Sequence, residues 1–280
     1  MKNYACFILS TGRCGTQWLT RYLIELLAQH SNTNTEVRHE PLGNQYAPIA
    51  NAPSAALTTN KDIIEQHLDD IQQFLARGKN YIETGFPCWR HISWFADRLK
   101  VPVKVIHLTR HPVYTSVSWL KLNAFVPPFL PHLPEKELFT PFAPGAKLPC
   151  YQQNWQQLSP FEKCLYYWGE VHMQALAYQQ DGPLNHWLNI SYETLFTKQS
   201  LNRLTQFLGL TATAGQISAS KEYCTENKID SYGGMIQADV NPEEIFRHPE
   251  IIKLANTLGY HELTIDKQTL RAEEQFPFSQ

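Results

Sequence analysis

The stretch Cys6-Phe7-Ile8-Leu9-Ser10-Thr11-Gly12-Arg13-Cys14-Gly15-Thr16-Gln17-Trp18-Leu19 decides how this chain is read. An apolar run stops at a small, Gly-containing turn that carries one Arg, and a helical pattern begins directly after it. That is the layout of a strand, an anion-cradling loop and a helix N-terminus. Such a corner aims unpaired backbone N–H groups and the positive end of the helix dipole at one point. Gly12 and Gly15 allow backbone geometry that a Cβ would obstruct, and Arg13 adds a permanent charge with a planar donor fork. Alone, the stretch is either an anion nest or an ordinary strand–turn–helix corner with an exposed Arg.

Outward from that stretch, strands and helices alternate. Apolar positions Leu19, Leu23, Leu26 and Leu27 recur at helical spacing from Thr16 to about Gln29. Glu36 to Pro41 is a brief extended segment, since the Pro biases Glu40 away from helix. Residues 42–60 lack periodicity and read as a surface excursion. Lys61 to Arg77 is an amphipathic helix with Ile64, Leu68, Ile71 and Leu75 on one face. Asn80 to Gly85 and Val101 to Leu108 are further strands, each followed by a helix (about Trp89–Leu99 and Pro112–Asn123). Phe161 to Tyr178 is strongly helical, His186 to Tyr192 is the last core strand, and helices near Lys198–Leu208 and Glu243–Leu258 close the chain. Strand–helix alternation predicts an α/β fold, a mainly parallel sheet covered on both faces in one domain over 1–280. The segment 124–160 breaks the pattern: it is rich in Pro and aromatics, and reads as a lid on the substrate side or as a packed excursion.

Composition excludes several classes. A formal net charge of −2 over 280 residues argues against a nucleic-acid polymer as partner, while leaving room for a local basic pocket. The six cysteines form no CxxC pair, so zinc and thioredoxin-like sites are not indicated, and the acidic residues form no ligand-like cluster for a metal. No apolar run approaches the roughly 18 residues of a membrane span. With no secretory leader at Met1, the expected setting is cytoplasmic with reduced thiols.

A second informative stretch is Leu108-Thr109-Arg110-His111-Pro112-Val113-Tyr114-Thr115-Ser116-Val117-Ser118-Trp119. Arg110 falls just past a strand's C-terminal end, where open parallel sheets bind ligands. Ser118 follows two helical turns later, on the face directed back toward that end. An Arg and a hydroxyl converging there can hold a phosphate through charge-assisted hydrogen bonds.

Together the two stretches resemble the sulfotransferase superfamily that uses 3′-phosphoadenosine 5′-phosphosulfate (PAPS). Its first loop, PxSGTTW or RxGTT, is matched by Gly12-Arg13-Cys14-Gly15-Thr16-Gln17-Trp18, and its R-x-P-x-x-x-x-x-S motif by Arg110, Pro112 and Ser118. Tyr192-Glu193-x-Leu195 is similar to a third recurring segment. The resemblance implies the three-layer α/β/α sulfotransferase fold and sulfuryl transfer from PAPS, without a metal, releasing 3′-phosphoadenosine 5′-phosphate (PAP). By the same resemblance Arg13 meets the leaving oxygen. Cys14, Gly15, Thr16 and Gln17 line the 5′-phosphate loop, and Arg110 and Ser118 take the 3′-phosphate. Tyr192 joins the donor set, and Trp18 either flanks the adenine or fills the core.

The base is where the chain departs from the cytosolic branch of the family. That branch carries a His in a K-T-H-x-P strand end; here the segment is Glu83-Thr84-Gly85-Phe86-Pro87, so Gly85 stands where the His would be. Other branches place a Glu soon after the first helix, which points to Glu40 of His39-Glu40-Pro41, with Glu83 as the rival and His39 as a neighbour or substrate contact. The acceptor is a small molecule or glycan (glycan, lipid-linked sugar, polyketide and phenol fit equally), and nothing in the sequence sets an oligomeric state. Two other functions are consistent with parts of the pattern: a sulfotransferase-like protein that binds PAP or a glycan without catalysis, and a nucleotide kinase. The latter needs G-x-x-x-x-G-K-[ST], which this loop lacks.

Overall fold

The computed structural model describes residues 3–29, 34–42, 61–85, 89–122, 124–126, 139–181, 186–210 and 240–265. Five strands form one parallel sheet: β1 Ala5–Leu9, β2 Thr35–His39, β3 Asn80–Thr84, β4 Val103–Thr109 and β5 His186–Ser191, in the spatial order β2-β3-β1-β4-β5. The chain first winds to one side of β1, then crosses to the other after β3. β1 therefore lies at the switch point, flanked by β3 and β4, where crevices open at the strands' C-terminal ends.

Side-chain alternation along the strands divides the core into two layers. Cys6, Ile8, Ile82, Ile106, Leu108, Leu188 and Ile190 face one side. There they pack on helix α1 (Thr16–Gln29), the single turn α6 (Tyr192–Leu195) and α7 (Lys198–Leu208). Phe7, Leu9, Tyr81, Val103 and Val105 face the other. That side is covered by α2 (Lys61–Ala76), α3 (Ile92–Arg98), α4 (Pro112–Leu120), α5 (Pro160–Asp181) and α8 (Pro249–Thr257). The architecture is three-layer α/β/α. Expected and observed elements agree closely, with one difference of kind: the last helix is split, a 3₁₀ segment Pro242–Arg247 preceding α8, because Pro249 cannot continue the turn before it.

Of residues 42–60, only Leu42 is described, and it is buried. The Pro- and aromatic-rich stretch is described at 124–126 and from Phe139 onward, and that later half belongs to the core. Phe139, Leu148, Tyr151 and Trp155 are buried under α5, and Trp155 meets Tyr166 edge-to-face at 5.1 Å. Two buried charges hold this half in place. Arg90 lies 4.6 Å from the Phe139 ring centroid and donates to the Pro144 carbonyl at 2.7 Å. The Glu170 carboxylate accepts the backbone N–H groups of Lys147 and Leu148. A Glu170→Ala variant strands both donors, and should lower stability by about 3 kcal/mol. The check is a lower urea midpoint at unchanged m-value, with Glu170→Gln, which keeps one acceptor, falling between.

Candidate active site

The first loop departs β1 in left-handed backbone. Gly12, Arg13 and Gly15 have φ of 74°, 59° and 78°. For Arg13 that conformation costs on the order of 1 kcal/mol, so surrounding contacts must enforce it. Ser10 Oγ accepts the Gly12 N–H at 3.1 Å, and Trp119 Nε1 of α4 donates to the Thr11 carbonyl at 3.1 Å. The N–H groups of Gly15, Thr16 and Gln17 stand at the head of α1, ahead of its Leu19 N–H to Gly15 C=O bond.

Because β1 and β4 are paired with Leu9 opposite His107, both loops leave the sheet side by side. Arg110 Nη1 donates to the Arg13 carbonyl at 2.8 Å, and Arg13 Nε donates to Ser118 Oγ at 3.0 Å. Arg13, Arg110 and Ser118, nearly a hundred residues apart in sequence, thus form one cluster. The Ser118 hydroxyl is engaged by Arg13, so the two expected phosphate subsites share a hydrogen bond.

The Tyr192 segment supports this cluster from below. The Arg110 guanidinium lies 4.4 Å from the Tyr192 ring centroid. A Cβ at Gly15 would stand 3.2 Å from that same ring and 3.4 Å from Leu195, so glycine is what permits the close packing there. Glu193 Oε1 accepts the backbone N–H of His111 at the entrance to α4, while Oε2 accepts the Tyr260 hydroxyl at 3.0 Å. Tyr260 is also within 2.9 Å of Thr109 Oγ1, and the Arg110 carbonyl accepts Trp168 Nε1–H at 2.9 Å. Glu193, Tyr260, Trp119 and Trp168 went unassigned from sequence. Glu193 adjoins a noticed segment, but Tyr260 lies 150 residues beyond Arg110 with no local signal.

Two expected contacts take a different form. The Cys14 side chain is fully buried, bonded to the Gly12 carbonyl at 3.0 Å and facing Thr11 Oγ1; burial raises its thiol to about 11, so it is inert and only its backbone borders the loop. Trp18 is buried, stacked on Tyr22 at 5.4 Å and edge-on to Phe196 at 4.7 Å, which makes it a core residue. Gln17 is exposed on the first turn of α1. His107 points into the sheet layer, its Nε2 2.8 Å from His172 Nδ1; burial lowers both imidazoles, His107 to about 4.

The two candidate bases diverge. Glu83 points to the α2 side, is 3 % exposed, and its Oε2 pairs with His67 Nε2 at 2.7 Å and accepts the Tyr81 hydroxyl at 2.9 Å. Burial alone would lower the His67 pKa; the Glu83 charge outweighs it and holds the imidazole above its ordinary value. Glu40 sits at the C-terminal end of β2. Its N–H still bonds the Thr84 carbonyl at 2.9 Å, but its φ of 43° turns the side chain out of strand alternation and over Gly85. A Cβ at Gly85 would collide with Glu40 Cγ, and Gly85 itself has φ of 119°. Glycine stands here because the Glu40 carboxyl occupies the space. Desolvation raises the Glu40 pKa to about 7, opposed by the charge of Arg13 and aided by that of Glu83.

Among solved structures, the chain is similar to a sulfotransferase from Alicyclobacillus acidocaldarius (16% identity, 97% of this chain and 99% of that one, TM-score 0.49). It is similar also to the sulfotransferase domain from the curacin biosynthetic pathway (17%, 98% of both chains, 0.46) and that of the Synechococcus PCC 7002 olefin synthase (17%, 98% and 94%, 0.42). None of the curated proteins compared matches the chain. The family model described as "Sulfotransferase domain" matches residues 4–232, most of the length, and the chain belongs to that family.

Proposed function

We propose that the protein transfers a sulfuryl group from PAPS to a hydroxyl or amine of a small-molecule or glycan acceptor. The observation that carries this is the bonding of Arg13, Arg110 and Ser118 into one cationic cluster beyond the C-terminal ends of β1 and β4. Two anionic groups of one nucleotide, the 5′-phosphosulfate on the Arg13 loop and the 3′-phosphate on Arg110 and Ser118, suit two linked cations better than one phosphate does. Arg110, backed by the Tyr192 ring, presents its fork to the 3′-phosphate; the head of α1 receives the 5′-phosphate.

The chemistry is an in-line displacement. The acceptor oxygen or nitrogen attacks sulfur as the bond from sulfur to the 5′-phosphate oxygen breaks, and the electron pair leaves on that oxygen. Arg13, charged at every working pH, stabilises it. Glu40 removes the acceptor proton. Its raised pKa suits it to general-base work near neutrality, whereas Glu83, sealed between His67 and Tyr81, serves as a fixed charge behind it. The missing His at Gly85 therefore does not favour an inert binding protein: Glu40 fills that place from the neighbouring strand.

PAP should raise the melting temperature of the protein clearly more than AMP, which lacks the 3′-phosphate, and Arg110→Ala should abolish the difference; equal shifts for the two nucleotides would sink the 3′-phosphate assignment. In label transfer from PAPS across a panel of phenol, sugar and amine acceptors, Glu40→Gln should lower kcat about 10²–10⁴-fold, and wild-type activity should fall as pH drops through about 7. A second consequence is thermodynamic. With a folded pKa of about 7 against an ordinary 4.5, the folded chain keeps a proton that the unfolded chain has released across that window. Stability therefore declines as pH rises from 4.5 to 7, and the full cost is present above 7. Glu40→Gln, which cannot ionise, should be more stable than wild type by about 2 kcal/mol at pH 8 and no more stable at pH 4, in parallel urea titrations.

A further inference from the structure

Beside Glu40 a chain of hydrogen bonds runs back into the fold through His39. Both side chains are roughly a quarter exposed (24% and 29%), with His39 Nε2 3.8 Å from Glu40 Oε1. Adjacent residues of a strand normally face opposite ways; the left-handed φ of Glu40 brings its carboxyl round to the His39 side. On its other nitrogen, His39 Nδ1 lies 3.2 Å from Thr84 Oγ1, which is 2.5 Å from Thr20 Oγ1, and Thr20 donates to the Thr16 carbonyl at 2.8 Å.

Counting hydrogens along this chain assigns the imidazole tautomer. The Thr20 hydrogen is used on Thr16, and the single Thr84 hydrogen has Thr20 Oγ1 at 2.5 Å and the Arg38 carbonyl at 3.2 Å as acceptors. Thr84 Oγ1 is then an acceptor toward the ring, so Nδ1 of His39 carries the proton. Nε2 is the nitrogen that gains or loses a proton on the Glu40 side. The 3.8 Å gap suits that state, because a carboxylate oxygen and an imine nitrogen oppose lone pairs, and a proton on either draws them to hydrogen-bond distance.

We propose that His39 is a positioning residue for Glu40, held by Thr84 and Thr20 as the Nδ1–H tautomer so that Nε2 receives the proton Glu40 takes from the acceptor. The proposal rests on Glu40 being the base. In the step, the Glu40 O–H bond breaks, its pair staying on the carboxylate, and the proton bonds the Nε2 lone pair. The imidazolium then releases the same proton to water, and both groups return to their starting state. The charged groups around the pair are Arg13 and Glu83 on the Glu40 side, with His67 behind Glu83. On β2 itself, Glu36 and Arg38 pair with each other at 2.7 Å.

Two-bond ¹⁵N–¹H correlation spectra of the full chain with labelled histidine test this, the His39 signal being identified by its loss in His39→Asn. At pH 8 the wild type should show His39 as the Nδ1–H tautomer. In Glu40→Gln the His39 titration midpoint should fall by about one unit or more, since an opposite charge at this range favours the imidazolium by that much. An Nε2–H tautomer in the wild type, or a midpoint unmoved in Glu40→Gln, overturns the proposal. Those spectra need no acceptor. Full kcat in Glu40→Gln would instead overturn the base assignment, so the two failures are separable.

Discussion

The Arg13 carbonyl receives a hydrogen bond from Arg110 while its side chain gives one to Ser118, and the site depends on this exchange. It joins the loops that leave two neighbouring parallel strands, and so turns strand register into the relative position of two cations. It also accounts for the left-handed backbone at Arg13, which a free loop would relax. Contacts farther out serve the same end. Trp119 holds the first loop through Thr11, Trp168 holds the second through the Arg110 carbonyl, and Glu193 caps the entrance to α4 with Tyr260 at its back. Two like charges are kept close in a partly buried place by carbonyls, a ring face and a hydroxyl. An anion arriving there finds its partners already in position, and little reorganisation is left for the moment of reaction.

The two acidic side chains near the cluster show how burial and partners assign different jobs to one residue type. Glu83 points inward by strand alternation and is neutralised by His67. Glu40, at a strand end with left-handed backbone, leaves that alternation and keeps access to solvent. The first is a stationary charge; the second can exchange a proton. Their separation follows from pleat geometry and a single backbone torsion.

The fold and the donor loops were legible because they depend on local pattern. Strand–helix periodicity, the glycines of the first loop, and Arg110 two turns ahead of Ser118 are all read within short windows. What escaped was long-range or directional. Tyr260 reaches Glu193 and Thr109 from the far end of the chain, and no spacing announces that. The directions taken by Cys14 and Trp18 also escaped, because a loop motif names the backbone that faces a ligand but not which side chains turn into the core. The stretch from Phe139 looked like a lid through its prolines and aromatics. Burial of Tyr151 and Trp155 beneath α5 makes that half of it core, and residues 127–138 lie outside the described residues.

The close approach of Glu40 to the α-carbon of Gly85 has a consequence for how such sites diversify. One small volume above the sheet admits one proton-accepting side chain, delivered either from β2 or from the end of β3. The two deliveries exclude each other sterically. A His introduced at Gly85 alone would displace the Glu40 carboxyl without gaining a proper place, because the backbone there is left-handed. Moving from one type of base to the other thus requires simultaneous change at two positions on adjacent strands, with an inactive form between them. Each arrangement is trapped by its own packing, and a glycine at the end of β3 marks which of the two a chain has adopted.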